Sequence, residues 1–307
     1  MKAIRFHEYG GPEVTRLEEV PEPEPKPGEY LIRVAAAAVN PIDWKLRNGA
    51  VKQFMPIQLP FTMGCDVAGK IEKGSGKFQP GDEVYGFLLT LRSGAFAQFV
   101  IALEGEIALR PKTLSPQEAA SVPVAVLTAY EALFDNGKLE SGQTVLIHGA
   151  AGSVGAMAVQ LAKWKDAHVI GTASAENLDY LRELGADEAV DYRKERFEDK
   201  AKQVDLVFDT VGGDTLERSF TVVRPGGTLI SIAGFPSPEL AQKHNIDARM
   251  MGVQVAGPRL AEIAQLIDSG RLKTRIDSVF TLKNGLAAIA ANEGGKSKGK
   301  VIISIQN

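Results

Sequence analysis

The residues best suited to chemistry sit in one short stretch. Thr144-Val145-Leu146-Ile147-His148 is an apolar run of strand length. It enters Gly149-Ala150-Ala151-Gly152-Ser153-Val154-Gly155, and Val154 to Trp164 then carries apolar side chains at helical spacing. A strand, a glycine-rich turn and a helix in that order are what a dinucleotide site requires. The turn must be tight and bare backbone must reach the pyrophosphate, so Gly152 marks the approach position and Gly155 allows close packing of helix on strand. The N–H groups that open the helix then face the phosphate charge. Ala150, Ala151, Gly152, Ser153, Val154 and Gly155 form the candidate cradle. Ala150 stands where the usual G-x-G-x-x-G has its first glycine, so the motif reads A-x-G-x-x-G. The competing reading is a tight turn with no ligand.

The next strand bears on which dinucleotide binds. An NAD site usually carries an acid about twenty residues further on, where it receives the ribose 2′-hydroxyl. Here the strand His168 to Ala173 ends in Thr172-Ala173-Ser174, without a carboxylate. An acid would repel a 2′-phosphate, so its absence permits NADPH. Thr172 and Ser174 offer hydroxyls at that end. Tyr192 and Arg193, after the third strand, offer a further donor and a positive charge, or else are ordinary surface residues. Val211, Ala233 and Gly234 follow later strands at their carboxyl ends, where ligands bind in open α/β sheets, and their backbone is placed for ribose and carboxamide.

These residues need a parallel sheet to hold them. From Thr144 onward strands and helices alternate. Strands are expected at Thr144–His148, His168–Ala173, Glu188–Val190, Val204–Asp209, Thr228–Ile232 and Gly252–Val255, with a helix over Asn177–Leu184 ended by Gly185. The first hundred residues differ. Tyr30–Val34 and Val67–Ile71 read as strands between turns such as Gly10-Gly11-Pro12 and Pro80-Gly81-Asp82. The proline-rich stretch Pro21 to Gly28 reads as a stiff extended connector. Ser115-Pro116-Gln117-Glu118 has the form of a capped helix start, and a second helix is expected over Val124–Phe134. The final Lys300 to Ile305 reads as a strand that rejoins the first domain. The expected domains are 1–122, β-rich, then 123–257, an α/β dinucleotide-binding domain, then 258–307, completing the first.

Composition excludes several classes. The chain has 307 residues, 44% hydrophobic and 24% charged, with a net charge of -3 and no long basic run, which argues against nucleic-acid or acidic-membrane partners. No apolar stretch is long enough to span a bilayer, and the first residues lack the apolar core of a signal peptide. A cytoplasmic location is the default expectation. The single cysteine, Cys65, makes neither an internal disulfide nor a four-thiolate zinc site. The four histidines, His7, His148, His168 and His244, are expected to be structural.

Further segments extend the pattern along nearly the whole chain. They are Gly10-Gly11-Pro12-Glu13-Val14, Val39-Asn40-Pro41-Ile42-Asp43, Gly64-Cys65-Asp66-Val67-Ala68-Gly69, Gly81-Asp82-Glu83-Val84-Tyr85-Gly86, Leu127-Thr128-Ala129-Tyr130 and Gly299-Lys300-Val301. In this order and spacing the chain resembles the zinc-lacking branch of the medium-chain dehydrogenase/reductase superfamily. The similarity is greatest to ζ-crystallin-type quinone oxidoreductases and alkenal/one oxidoreductases, which share the Asn-Pro-x-Asp form. The resemblance implies a GroES-like catalytic domain beside a Rossmann domain, NADPH as cofactor, a small-molecule substrate and a homodimer. In zinc members a cysteine ligand stands at the position of Asn40, and Gly-His-Glu at Gly64-Cys65-Asp66. An amide is a poor zinc ligand, so no metal is expected.

The resemblance also implies roles. Asn40 and Asp43 would lie beside the nicotinamide, with Asn40 donating to a substrate carbonyl or holding the ribose. Asp43 reads equally as a cap after Pro41. Thr128 matches a position touching the nicotinamide end, or bonds its own helix backbone. Val51, Phe54, Leu88, Leu91 and Phe235 are the expected substrate walls. Trp44, Lys45 and Val51 replace the tyrosines that quinone reductases of the family often carry there. Without a Lewis acid the chemistry suits acceptors primed by conjugation, namely quinones and α,β-unsaturated carbonyls. The rival readings are an enoyl-thioester reductase, for which Lys45, Lys52 and Arg92 offer basic residues, and a non-catalytic NADPH-binding protein.

Overall fold

A computed structural model describes residues 1–89, 91–92, 94–295 and 297–305. The chain divides into two compact units, Met1–Val124 with Val255–Asn307, and Ala125–Gln254.

The first unit is built on the long strand Glu29–Val39, whose Tyr30, Leu31, Ile32 and Val34 to Val39 are all buried. A strand buried on both faces shows a continuous apolar run in place of alternation. It pairs antiparallel with Asp66–Lys73, Phe99–Leu103 and the late strand Lys300–Ser304. The last pairing sets Val301 opposite Val39 and Ser304 opposite Ala36, so the end of the chain does return to the first hundred residues. Lys2–Phe6 pairs separately with Thr15–Glu19 and Phe61–Thr62. Pro21 to Gly28 joins two strands without regular structure of its own. The core gathers Phe6, Tyr30, Phe61, Phe78 and Phe96 with aliphatic side chains from both segments. Tyr85 donates to the Leu260 carbonyl at 2.7 Å, a further tie between the segments. Ser115 caps helix Pro116–Ala120 by a reciprocal box with Glu118, as its spacing suggests.

The second unit is a parallel six-stranded sheet among the described residues. Its spatial order is Glu188–Asp191, His168–Ala173, Thr144–His148, Val204–Asp209, Val223–Ser231 and Asp247–Met250. The chain starts in the middle, builds to one edge, then returns and builds to the other. This is the doubly wound topology of the Rossmann fold, and its switch point lies between Thr144–His148 and Val204–Asp209.

Three expectations need correction. Gly252–Val255 is not a strand; the sixth strand is Asp247–Met250, whose charged, exposed residues hide it from any search for apolar runs. The fifth strand begins at Val223, earlier than its apolar part, because Arg224-Pro225-Gly226-Gly227 extends the pairing through an irregularity. The helix starting at Pro123 stays α-helical only to Tyr130. It then widens into a π-helical turn over Glu131–Asn136, where the Gly137 N–H reaches back to the Ala132 carbonyl.

Candidate functional site

The glycine turn is shaped by contacts that leave no room for side chains. Gly149 has φ 65°, the left-handed region. A Cβ on Gly155 would lie 2.3 Å from the Gly149 carbonyl oxygen and 2.7 Å from Ala150 Cα. The helix Ser153–Trp164 therefore starts directly against the strand that precedes it. At Gly152, the N-cap, a Cβ would meet only the Gly149 oxygen at 3.2 Å, on an exposed face. No side chain caps this helix among the described residues. The cradle is bare backbone opening outward, which fits a pyrophosphate.

The structure revises the expected parts of two residues, Ala150 of the cradle and Thr172 of the next strand. Ala150 is fully buried, and its N–H is spent on the Thr172 carbonyl at 2.9 Å. Its methyl faces Gly171, which explains how alanine replaces the customary glycine: the strained backbone angle falls on Gly149 instead. Thr172 is buried as well, 3.3 Å from the Gly149 N–H and 3.2 Å from His148 Nδ1. Ser219 Oγ donates to the Thr215 carbonyl, so it accepts from His148 Nε2–H at 2.9 Å. The imidazole is thus the neutral Nε2–H tautomer, and Thr172 donates to its Nδ1. Burial lowers the His148 pKa to about 4, which keeps it neutral. The buried side chains of Thr172 and His148 hold the turn from beneath.

Ser174, itself buried, and the Tyr192–Arg193 pair follow adjacent strand ends. The ends of their strands are neighbours, with Ala173 opposite Asp191. Ser174 Oγ accepts from Asn177 Nδ2 at 3.0 Å, a partner that spacing did not reveal. Tyr192 is exposed, and the Arg193 guanidinium lies 5.4 Å from its ring centroid. An acid, Glu176, stands two residues past Ser174, but Arg193 draws it to 3.6 Å. Val211 and Ala233 are exposed, Gly234 is half-buried, and Phe235 is 75% exposed. Thr128 is buried in its helix.

In the first unit Asn40 and Asp43 are buried in a polar knot. Asp43 closes a capping box on helix Pro41–Arg47, accepting from the Asn40 N–H at 2.7 Å and the Gly64 N–H at 3.1 Å. The cap reading of Asp43 is therefore the one the structure bears. Asn40 Nδ2 donates to Asp66 Oδ2 at 2.9 Å, and its Oδ1 accepts from Lys300 Nζ at 2.5 Å. Lys300 Nζ also reaches Asp66 at 3.0 Å, while Asp66 Oδ1 holds the Val124 N–H. Both polar ends of Asn40 are committed inside the protein, so it is a positioning residue and not a free donor to a carbonyl. Lys300 and Asp66 complete the knot; both stand in segments that carry the resemblance, but the motifs assign them no role. Burial pushes the neighbouring Cys65 thiol up, keeping it protonated.

Of the expected substrate walls, Phe54 and Leu91 are exposed. Val51 is partly buried against the core, and Leu88, at 1% exposure, belongs to the core itself, which removes it from the walls. Arg92 is bound to the buried Glu106 at 2.5 Å, and Glu106 also accepts the Leu89 N–H. Lys45 lies 5.6 Å from the Trp44 ring centroid.

Two measurements test the knot. Lys300→Met strips Asp66 of its counter-ion and is expected to lower the unfolding free energy in urea by about 3–5 kcal/mol. Adding Asp66→Asn, which removes the stranded charge, should restore part of the loss. Burial, aided by the charge of Asp66, raises the Asp43 pKa to about 7. The folded state therefore holds a proton that the unfolded chain releases near its ordinary carboxyl pKa. This contribution is fully present below that ordinary value and is lost as pH rises through about 7. Asp43→Asn should flatten the fall in stability across that window; an unchanged slope would place the titration elsewhere.

Comparison with known proteins agrees with this geometry. A family model for the alcohol dehydrogenase GroES-like domain matches residues 26–112, and one for zinc-binding dehydrogenases matches 184–303. The chain is 36% identical to a tomato (Solanum lycopersicum) 2-methylene-furan-3-one reductase, over 99% of this chain and 79% of that protein. It is 34% identical to an Arabidopsis thaliana NADPH-dependent alkenal/one oxidoreductase, with the same coverage of each. The quinone oxidoreductase structure from Coxiella burnetii superposes with a TM-score of 0.91 at 33% identity, covering 100% of this chain and 99% of that one. With a GroES-like unit, a doubly wound unit and relatives matched along almost its full length, the chain belongs to the medium-chain dehydrogenase/reductase superfamily, in the branch of the quinone and alkenal/one oxidoreductases.

Proposed function

We propose that this chain is an NADPH-dependent reductase of quinones and α,β-unsaturated carbonyls that works without zinc. The observation that carries the reading is the open backbone cradle at Gly152, on the same sheet as the Ser174–Tyr192–Arg193 cluster. Bound NADPH supplies a hydride. The residues present fit it: the turn at Gly149–Gly155 receives the pyrophosphate, and Ser174 with Tyr192 and Arg193 receives the 2′-phosphate. Arg193 also pairs with Glu176, an exposed acid that would repel that group, while the nearby Asp191 is buried and accepts the Arg193 N–H. Val211, Ala233 and Gly234 lie at strand ends next to the switch point; their N–H groups are held by Asp209 and Ser231, so it is their carbonyls that would meet the ribose and carboxamide. Named relatives of this chain act on an enone and use NADPH.

Zinc independence is supported by the donors themselves. Asn40 offers an amide, Cys65 a protonated thiol, and Asp66 a carboxylate already neutralised by Lys300. A cation entering that knot would have to displace an ammonium. Binding of Arg92 by Glu106 takes away one of the basic residues an enoyl-thioester reductase would use for a carrier phosphate.

Oxidation of NADPH should proceed with phenanthrenequinone and with acrolein-type alkenals, and survive dialysis against a chelator. Turnover with crotonyl-CoA alone would shift the reading to thioesters, and tight NADPH binding without turnover of any of the three would sink the enzymatic reading. Ser174→Asp sets a carboxylate at the 2′-phosphate position. It should weaken NADPH by about tenfold or more and improve NADH; unaltered preference in a titration of both cofactors would remove Ser174 from the site.

A further inference from the structure

Two buried polar side chains in the second unit have no part in the cradle or the 2′-phosphate cluster. Asp209 ends the strand Val204–Asp209 and Ser231 ends Val223–Ser231; the two are directly opposite in the parallel register. Both are 0% exposed. A carboxylate taken wholly out of water must be matched by donors. Asp209 Oδ1 accepts the N–H of Val211 and of Gly212, each at 3.0 Å. Its Oδ2 accepts a second contact from the Gly212 N–H at 3.1 Å and the Ser231 hydroxyl at 2.7 Å. Ser231 Oγ, having donated its proton, accepts the N–H of Ala233 and of Gly234, each at 3.1 Å.

Every donor in this chain of bonds is a backbone N–H of one of two turns, except the serine hydroxyl that links them. One carboxylate thus fixes the turn after the fourth strand directly and the turn after the fifth through a single hydroxyl. Charge-assisted bonds of this kind are the stronger class, and a fully satisfied buried network admits few alternative arrangements. Gly212 adopts φ 78°, so its N–H is turned back onto the carboxylate by a conformation suited to glycine.

We infer that Asp209 and Ser231 form a brace that sets the spacing of the Val211–Gly212 and Ala233–Gly234 turns, and through it the affinity for the nicotinamide half of the cofactor. They are positioning residues, acting through the backbone they hold. The inference rests on the proposed reading that these turns receive that half. A brace of this kind would act on one end of the ligand only. The adenosine end, at Ser174 and Tyr192, lies on the opposite side of the sheet's starting strand and shares no hydrogen bond with the brace.

The experiment compares NADPH with 2′,5′-ADP, a fragment that lacks the nicotinamide half. Ser231→Ala removes the link without adding bulk. It should weaken NADPH by about tenfold, because the loosened turns must be ordered on binding, and raise KM for NADPH more than it lowers kcat. Affinity for 2′,5′-ADP should stay within about twofold of the parent. Asp209→Asn, which turns one acceptor into a donor, should shift NADPH the same way or further. Equal loss of both ligands would mean general loosening and would overturn the brace, as would binding of NADPH unchanged in Ser231→Ala. Failure of the underlying reading is seen separately, in the parent protein: it would bind 2′,5′-ADP no more weakly than NADPH.

Discussion

A single close approach governs the second unit: the start of helix Ser153–Trp164 lies against the end of strand Thr144–His148 with less than a methyl group to spare. Gly155 cannot carry a Cβ without meeting the Gly149 carbonyl at 2.3 Å. That contact turns the helix N-terminus toward the carboxyl edge of the sheet, where its N–H groups and dipole act on an anion. The turn between must reverse within a few residues, which places Gly149 at φ 65°. Such a bend needs support from below, supplied by Thr172 and by the neutral, buried imidazole of His148. Shape and electrostatics therefore have one cause, the absence of two side chains.

The two units hold their irregular segments by different means. In the first, a full positive charge on Lys300 is buried against Asp66 and Asn40, drawing the last strand to the residues that cap helix Pro41–Arg47. Such a pair adds little net stability over an apolar substitute, because both ions lose their hydration, but breaking one half is costly. Its consequence is registry: strand Lys300–Ser304 cannot slip along Glu29–Val39 without stranding a charge. In the second unit Asp209 is satisfied by backbone N–H groups and one hydroxyl, with no cation in its hydrogen bonds. Here the charge organises turns and leaves strand pairing to the ladder.

What could be read from residue order was what depends on near neighbours. The glycine turn, the capping box at Ser115, and the strands Thr144–His148 and Val204–Asp209 are local in cause, and the chain signals them locally. The role of Asn40 was not legible, because its partners stand 26 and 260 residues away. Leu88 looked like any apolar loop residue; only the packed core shows that it faces inward. Thr172 had the right type at the right strand end, yet the period-two alternation of strand side chains puts it under the turn. The sixth strand escaped notice because an edge strand is written in charges, here Asp247 and Arg249.

The knot around Asn40 also bears on which acceptors the proposed chemistry suits. Lys300 and Asp66 cancel, and the raised pKa of Asp43 leaves it partly neutral near pH 7. The cluster carries no net positive charge, and the amide of Asn40 is bonded at both ends. On the proposed reading, a site without a strong positive charge gains most from a substrate whose own conjugation spreads the incoming charge. Quinones and enones do this, since the developing negative charge reaches an oxygen through the π system. On the proposed zinc-free reading the electron demand is met by the substrate, and what is left to the protein is orientation, for which the turns held by the buried carboxylate of Asp209 are suited.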